Sequence, residues 1–176
     1  FFALGHVAAG LTGQPQDGYS PAYLRAITFG SAVYGWLALL LSALIARRII
    51  GRLDLVATAA VCLGTPLVFY MFVAPGFSHA CSAFSVALFL WVWLRVRDRA
   101  AQSGATGIWR GLVALGACAA LLPMVREQDV FFAAGPALDL LRTAWRERAV
   151  AARRLAWIGG VAAGTFAGLV AYAPQL

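Results

Sequence analysis

The side chains able to do chemistry in this sequence are few, and they are spaced along a very apolar chain. Arg126, Glu127, Gln128 and Asp129 form one polar run. Arg126 and Asp129 are three residues apart and so share a helical face. An ionisable group at membrane depth is costly and marks a functional candidate. A guanidinium there suits a phosphate, which it grips as a bidentate donor. The plain alternative is an interfacial ion pair reaching the headgroups. His79 follows the turn Pro75-Gly76-Phe77-Ser78 and can act as a helix cap, a general base or, protonated, an anion ligand. Asp17, in Gln14-Pro15-Gln16-Asp17-Gly18-Tyr19, is a candidate general acid/base and equally a turn residue. Arg25 completes the candidate binding set, and His6 reads as a satisfied helix histidine.

The elements that must position these groups are set by composition. Hydrophobic residues make up 62% of the 176 residues and charged ones 12%, with a mean hydropathy of +0.79. Soluble domains carry about 25% charged residues. So little polar surface predicts an all-α polytopic bundle with lipid as its solvent, each helix satisfying its own backbone. The expected spans are about 27–46, 53–73, 78–94, 108–125, a short Pro-interrupted crossing at 126–141, and 155–173. That makes about six crossings, and residues 1–13 read as the tail of an earlier membrane or interfacial helix. The whole chain reads as one transmembrane domain, and both ends read as cut from a longer protein.

All fourteen basic residues are Arg. Twelve of them fall after the first and third spans or before the last, and only Arg25 and Arg126 lie elsewhere. The positive-inside rule then puts the Arg-rich loops in the cytoplasm of a bacterial inner membrane. Asp17, Arg25, His79, the 126–129 run and Pro174-Gln175 lie at the opposite ends. Asp54, Asp98 and Glu147 are expected as local charge partners of the arginines. The arginines are not interleaved with solvent-facing aromatics, so nucleic-acid binding is not expected. Cys62, Cys81 and Cys118 stand singly in apolar segments and read as packing residues rather than metal ligands. Gly160, Gly164 and Gly168 recur every four residues, a close-packing surface for another helix. No nucleotide-binding loop, HExxH or Ser/His/Asp arrangement is present, and no cofactor motif is evident.

The run FFALGHVAAGLTG…YLRAITFGSAVYGWLALLLSALIARRIIGR…GTPLVFYMFVAPGFSHACSAFSVALFLWVWLR resembles bacterial membrane glycosyltransferases of the GT-C superfamily. It looks most like the family 39 group, similar to dolichyl-phosphate-mannose mannosyltransferases and lipid A aminoarabinose transferases. The resemblance rests on the FF-L-GH helix, the Ala46-Arg-Arg-x-x-Gly51 span end, the Thr65-Pro-Leu-x-x-Tyr70 helix and Ser78-His79-Ala80. It implies transfer of a sugar from a polyprenyl-phosphate donor to a periplasmic or envelope acceptor. It further implies a divalent metal in some members and a catalytic acid in an outer loop ahead of Phe1. The Glu-Arg pair of that group is replaced here by Gly76-Phe77-Ser78-His79. Arg126, Gln128, Asp129 and His79 are then expected around the donor phosphate or acceptor. Two rival readings are a transporter or flippase, and a non-catalytic membrane scaffold.

Overall fold

A computed structural model describes residues 1–102, 109–146 and 151–172, and no strand occurs among them. Two compact units divide the chain at Phe84/Ser85.

The N-terminal unit opens with α1 (Phe2–Leu11) and α2 (Pro21–Ile50). Pro21 at the first helical position has its φ pre-set and no donor to waste, so α2 starts there. It runs past both ends of the expected 27–46 span and stops at Gly51, whose left-handed backbone (φ 86°) lets its N–H reach the Arg47 carbonyl at 2.8 Å. Arg47 and Arg48 in the last turn complement the helix dipole. The two helices meet through glycine: a Cβ on Gly5 would come within 3.0 Å of Tyr23 Cα, and one on Gly30 within 2.7 Å of the Phe1 ring.

The expected 53–73 span is not one helix. Asp54 caps α3 (Leu55–Gly64), accepting from Ala57 N at 2.9 Å, so its visible role is a helix cap rather than a partner for arginine. Thr65 precedes Pro66 and is forced extended (φ −115°, ψ 160°), which ends the helix. The chain resumes as a π-helical turn, Phe69–Val73, closed by Ala74 N donating to Phe69 O at 2.9 Å. This turn is seated on α2. Met71 is fully buried against Gly35, where a Cβ would overlap the Met71 side chain, and Ser31 Oγ one turn earlier donates to the Pro75 carbonyl at 2.6 Å. No residue of α3 itself is buried.

Helix α4 (His79–Gln102) starts in the first unit and continues through the second. The C-terminal unit adds α5 (Trp109–Val125), a 3-10 segment (Glu127–Ala133), α6 (Ala134–Arg146) and α7 (Ala151–Tyr172). Its core is Phe89, Leu115 and Leu122, with Cys118 packed against them as a small apolar residue. In place of the one short helix expected at 126–141 there is an extended break at Arg126 (φ −153°, ψ 126°), then the 3-10 segment, then an α6 that is strongly amphipathic. Glu127, Asp129, Asp139 and Arg142 leave this stretch without an all-round apolar surface. Among the described residues, α2 and residues His79–Arg99 of α4 are the two helices long and apolar enough to cross a membrane. Phe2–Leu11, Leu55–Gly64, Trp109–Val125 and Ile158–Ala167 are shorter apolar stretches. Glu147, Arg148, Pro174 and Gln175 lie outside the described residues.

The glycine stripe on α7 meets α5. A Cβ on Gly164 would strike the Val113 carbonyl and come within 3.0 Å of Gly116 Cα, and one on Gly160 would reach Leu112 Cβ at 2.6 Å. Thr165 Oγ1 donates to Gly116 O across the same crossing at 3.4 Å. Gly168 follows one turn further along α7. Because the obstructing atoms at Gly116 and Gly164 are backbone, the helices must separate to admit a methyl group. Gly164→Ala should therefore destabilise the protein by about 1–3 kcal/mol. Gly159→Ala should be neutral or mildly stabilising, since its Cβ would meet only the Trp109 ring at 3.7 Å. Thermal midpoints of the two variants in detergent check this, and equal midpoints would contradict the crossing.

Candidate functional site

The candidate residues fall into separate local settings. In the C-terminal unit the backbone break at Arg126 turns the chain from α5 into the 3-10 segment, with Arg126 N donating to Leu122 O at 3.0 Å and Asp129 N to Arg126 O at 2.9 Å. This one turn brings Arg126, Gln128 and Asp129 together. With its amide oxygen facing the guanidinium, Gln128 accepts from Arg126 Nη2 and from Nε at 3.2 Å. Arg126 is half-buried and Asp129 is 4% exposed. A carboxylate so enclosed has to be held by donors. The turn is thus a fixed polar element at the end of an apolar helix. Arg126 itself is extended, so positions 126 and 129 are linked by the turn's backbone bond rather than by the α-helical spacing expected from sequence.

His79 is half-buried at the start of α4, with its ring stacked on Tyr70 at 3.9 Å between centroids and 33° between planes. Phe77 stands beside both, 6.0 Å from Tyr70 and 6.1 Å from His79. Neither Tyr70 nor Phe77 is among the site residues expected from the sequence. The clue available was the Thr65-Pro66 break, because the π-helical turn after it is what swings Tyr70 towards His79.

Arg25 is exposed on α2 and borders a shallow groove against α1, lined by Leu4, Ala8, Gln14 and Phe29. His6 lies nearby in sequence space on α1, and its Nδ1 is 2.5 Å from the Tyr23 hydroxyl, a satisfied histidine as its apolar setting suggested. Gln14 Oε1 accepts from Ala22 N at 3.1 Å and closes the α1–α2 connection.

Asp17 is committed to its own loop. Its Oδ1 accepts from Tyr19 N at 2.8 Å and Ser20 N at 2.9 Å, an Asx-type turn leading into α2. These backbone donors, Tyr19 first, hold its carboxyl below the usual aspartate range. Of the two settings weighed from sequence, the turn is the one its contacts serve.

Among the described residues no group of three or more His, Cys, Asp or Glu is placed to hold a metal ion. The three cysteines are free thiols. No protein-family profile matches the chain, and neither the curated proteins nor the solved structures include a match.

The Asp17 turn gives a pH prediction whose sign is fixed by its depressed ionisation. Hydrogen bonds to the carboxylate form should order residues 17–20 throughout the neutral range. They should be lost only as pH falls through a value below that of an ordinary aspartate. Amide exchange of Tyr19 and Ser20 against pH reads this directly. Asp17→Asn, which keeps an acceptor, should retain much of the protection, and Asp17→Ala should abolish it. Unchanged protection in Asp17→Ala would remove the carboxylate from the turn.

Proposed function

We propose that this chain is part of an integral membrane glycosyltransferase that moves a sugar from a polyprenyl-phosphate donor to an acceptor in the bacterial envelope. The observation that carries the reading is the Arg126 turn: a half-buried guanidinium oriented by Gln128, next to an enclosed carboxylate, at the end of apolar α5. A planar cation held in one orientation is suited to a phosphodiester and discriminates it from neutral lipid. Gln128 and Asp129 would orient that donor. His79 and Arg25 remain candidate ligands in the N-terminal unit, each through its own surroundings.

Several features support a bilayer as the surrounding solvent. Leu11, Val56, Leu63 and Phe131 are 78–83% exposed, far more apolar side chain than water tolerates in one small chain. At the basic end of α4, Arg95 lies over the Trp91 ring at 3.8 Å and Arg97 over Trp93 at 5.2 Å. Paired Trp and Arg of this kind belong to a membrane–water interface. About six crossings, with α3 and the π-helical turn together making one and the 126–141 region another, would place the arginine-rich loops in the cytoplasm and the Arg126 turn opposite. The resemblance to the GT-C group supplies the reaction class, with the catalytic acid expected ahead of Phe1. A divalent metal belongs to the same resemblance.

The interrupted stretch Leu55–Val73 favours a second reading, a transporter or flippase, because broken helices line translocation paths. Transfer of labelled sugar from a polyprenyl-phosphate donor by the full-length protein separates the two. Loss of a hydrogen bond to a charged group predicts about a tenfold to hundredfold fall in turnover for Arg126→Ala. Asp129→Asn should fall less, and Arg99→Ala should leave turnover unchanged. A full-length protein with no acidic outer loop ahead of Phe1, or an Arg126→Ala variant with wild-type turnover, would sink the transferase reading. Accumulation of untransferred lipid donor on the opposite leaflet would favour the flippase.

A further inference from the structure

Three helices of the C-terminal unit carry arginines far apart in the chain, and packing gathers them at one level. Val96 of α4 packs on Leu112 of α5, and a Cβ on Gly111 would come within 2.9 Å of Val96 Cγ2. Phe89, earlier on α4, packs with Leu115 and Leu122, later on α5, so the two helices run antiparallel. Arg110, the residue before Gly111, therefore stands level with Arg95 and Arg97, which flank Val96.

Helix α6 leaves the far end of α5 and returns along α4. Ala133, just ahead of it, packs against the Phe89 core, and Asp139 accepts from Trp93 Nε1 at 3.2 Å. Arg142 lies about one helical turn beyond Asp139, as Arg97 lies one turn beyond Trp93. All four arginines are exposed. Against them stands Asp139, whose carboxylate is engaged by Trp93. Asp98 and Arg99, the next residues of α4, add one charge of each sign. Among the described residues the band is thus decidedly cationic.

Tryptophan decides what kind of anion suits it. Arg95 is stacked over Trp91 at 3.8 Å and Arg97 over Trp93 at 5.2 Å, while Trp109, 44% exposed, precedes Arg110. A guanidinium stacked on an indole spends its face there and keeps its N–H edges for phosphate oxygens. The indole, apolar in body and polar at its tip, is at home at headgroup level. Nucleic acid has the same charge, but the band borders the exposed Leu138 and Leu141 of α6 and the long apolar run of α4. A hydrated polyanion gains nothing beside such a surface. A phospholipid lays its acyl chains on it and brings its phosphate to the arginines.

From this convergence we propose that Arg95, Arg97, Arg110 and Arg142 form one binding band for the phosphates of anionic phospholipids, with the tryptophans seated among the headgroups. The proposal rests on the membrane-embedded part of the reading above and is independent of the transfer chemistry.

The test is native mass spectrometry of the full-length protein in detergent with equimolar phosphatidylglycerol and phosphatidylcholine. Wild type should retain phosphatidylglycerol preferentially. An arginine near a membrane surface is worth about fivefold in affinity for anionic lipid, so combining Arg95→Gln, Arg97→Gln and Arg110→Gln should lower that preference tenfold or more. Lysine at the same three positions keeps the charge and should restore much of it. Combining Arg47→Gln, Arg48→Gln and Arg52→Gln removes equal charge from the N-terminal unit and should cost clearly less. Circular dichroism and thermal midpoint confirm that each variant folds. Equal retention of the two lipids by wild type, or equal losses from the two triple variants, would overturn the proposal. So would a labelled oligonucleotide that binds wild type in detergent and is lost from the first triple variant, which would assign the band to nucleic acid. Carbonate extraction of the chain from membranes is measured alongside. Release into the soluble fraction would overturn the membrane reading and this proposal together, whereas absent sugar transfer with intact lipid preference would count against the transferase alone.

Discussion

Backbone hydrogen bonding to itself is the constraint on which everything else in this structure depends. With 12% charged residues, the chain has few side chains to satisfy stray carbonyls and amides. It is helical nearly wherever it is described, and each departure has an identifiable sponsor. Pro66 expels Thr65 from the helix, and the π-helical turn that follows is held by Ser31 and the space at Gly35. At Arg126 the helix ends and the chain re-forms as a 3-10 segment around a polar cluster. Asp17 serves the backbone ahead of α2 in the same way that Asp54 serves α3. Polar residues in this chain are thus placed chiefly where helices stop, and the two candidate polar settings, at His79 and Arg126, are both at such junctions.

The second organising interaction is close backbone contact. Gly5 and Gly30 admit α1 and Phe1 to α2, and Gly116 with Gly164 sets the α5–α7 crossing. Side chains then fill what the glycines leave. Phe1 sits edge-on to Tyr34 at 5.4 Å, and Trp93 Nε1 donates to Asp139 Oδ2 at 3.2 Å, tying amphipathic α6 to α4. That last bond gives Asp139 a local role, and it explains how a helix carrying a carboxylate midway stays against an apolar neighbour.

Much of the helical content was legible because runs such as Ile27–Ala46 contain nothing that could stop a helix. The Pro66 and Gly160/Gly164 signals were legible too, as a break and as a packing face. What the residues did not disclose was pairing. Gly116, in Ala114-Leu115-Gly116-Ala117, looks like any other small residue until α7 arrives against it, since contact partners distant in the chain leave no mark on local periodicity. Residues 126–141 do not form the one short helix expected there, because Arg126 is extended. Once Arg126 leaves helical geometry, the register resets and the apolar residues of α6 collect on one side. At the candidate site, the spacing of Arg126 and Asp129 was plain from the residues, yet Tyr70 and Phe77 became neighbours of His79 only through a π-helical turn that no spacing rule anticipates.

The glycine contact between α5 and α7 also has a temporal side. Gly5 finds Tyr23 within eighteen residues of chain, so the α1–α2 hairpin can close almost as soon as it is synthesised. Gly116 has to wait for Gly164, forty-eight residues later, before its exposed backbone is covered. Chains emerge at about 5–20 residues per second, so α5 spends some seconds with an unfilled groove facing its surroundings. During that interval nothing within the chain yet covers the backbone at Gly116. The joint that makes the finished C-terminal unit tight is therefore one that can form only late in synthesis.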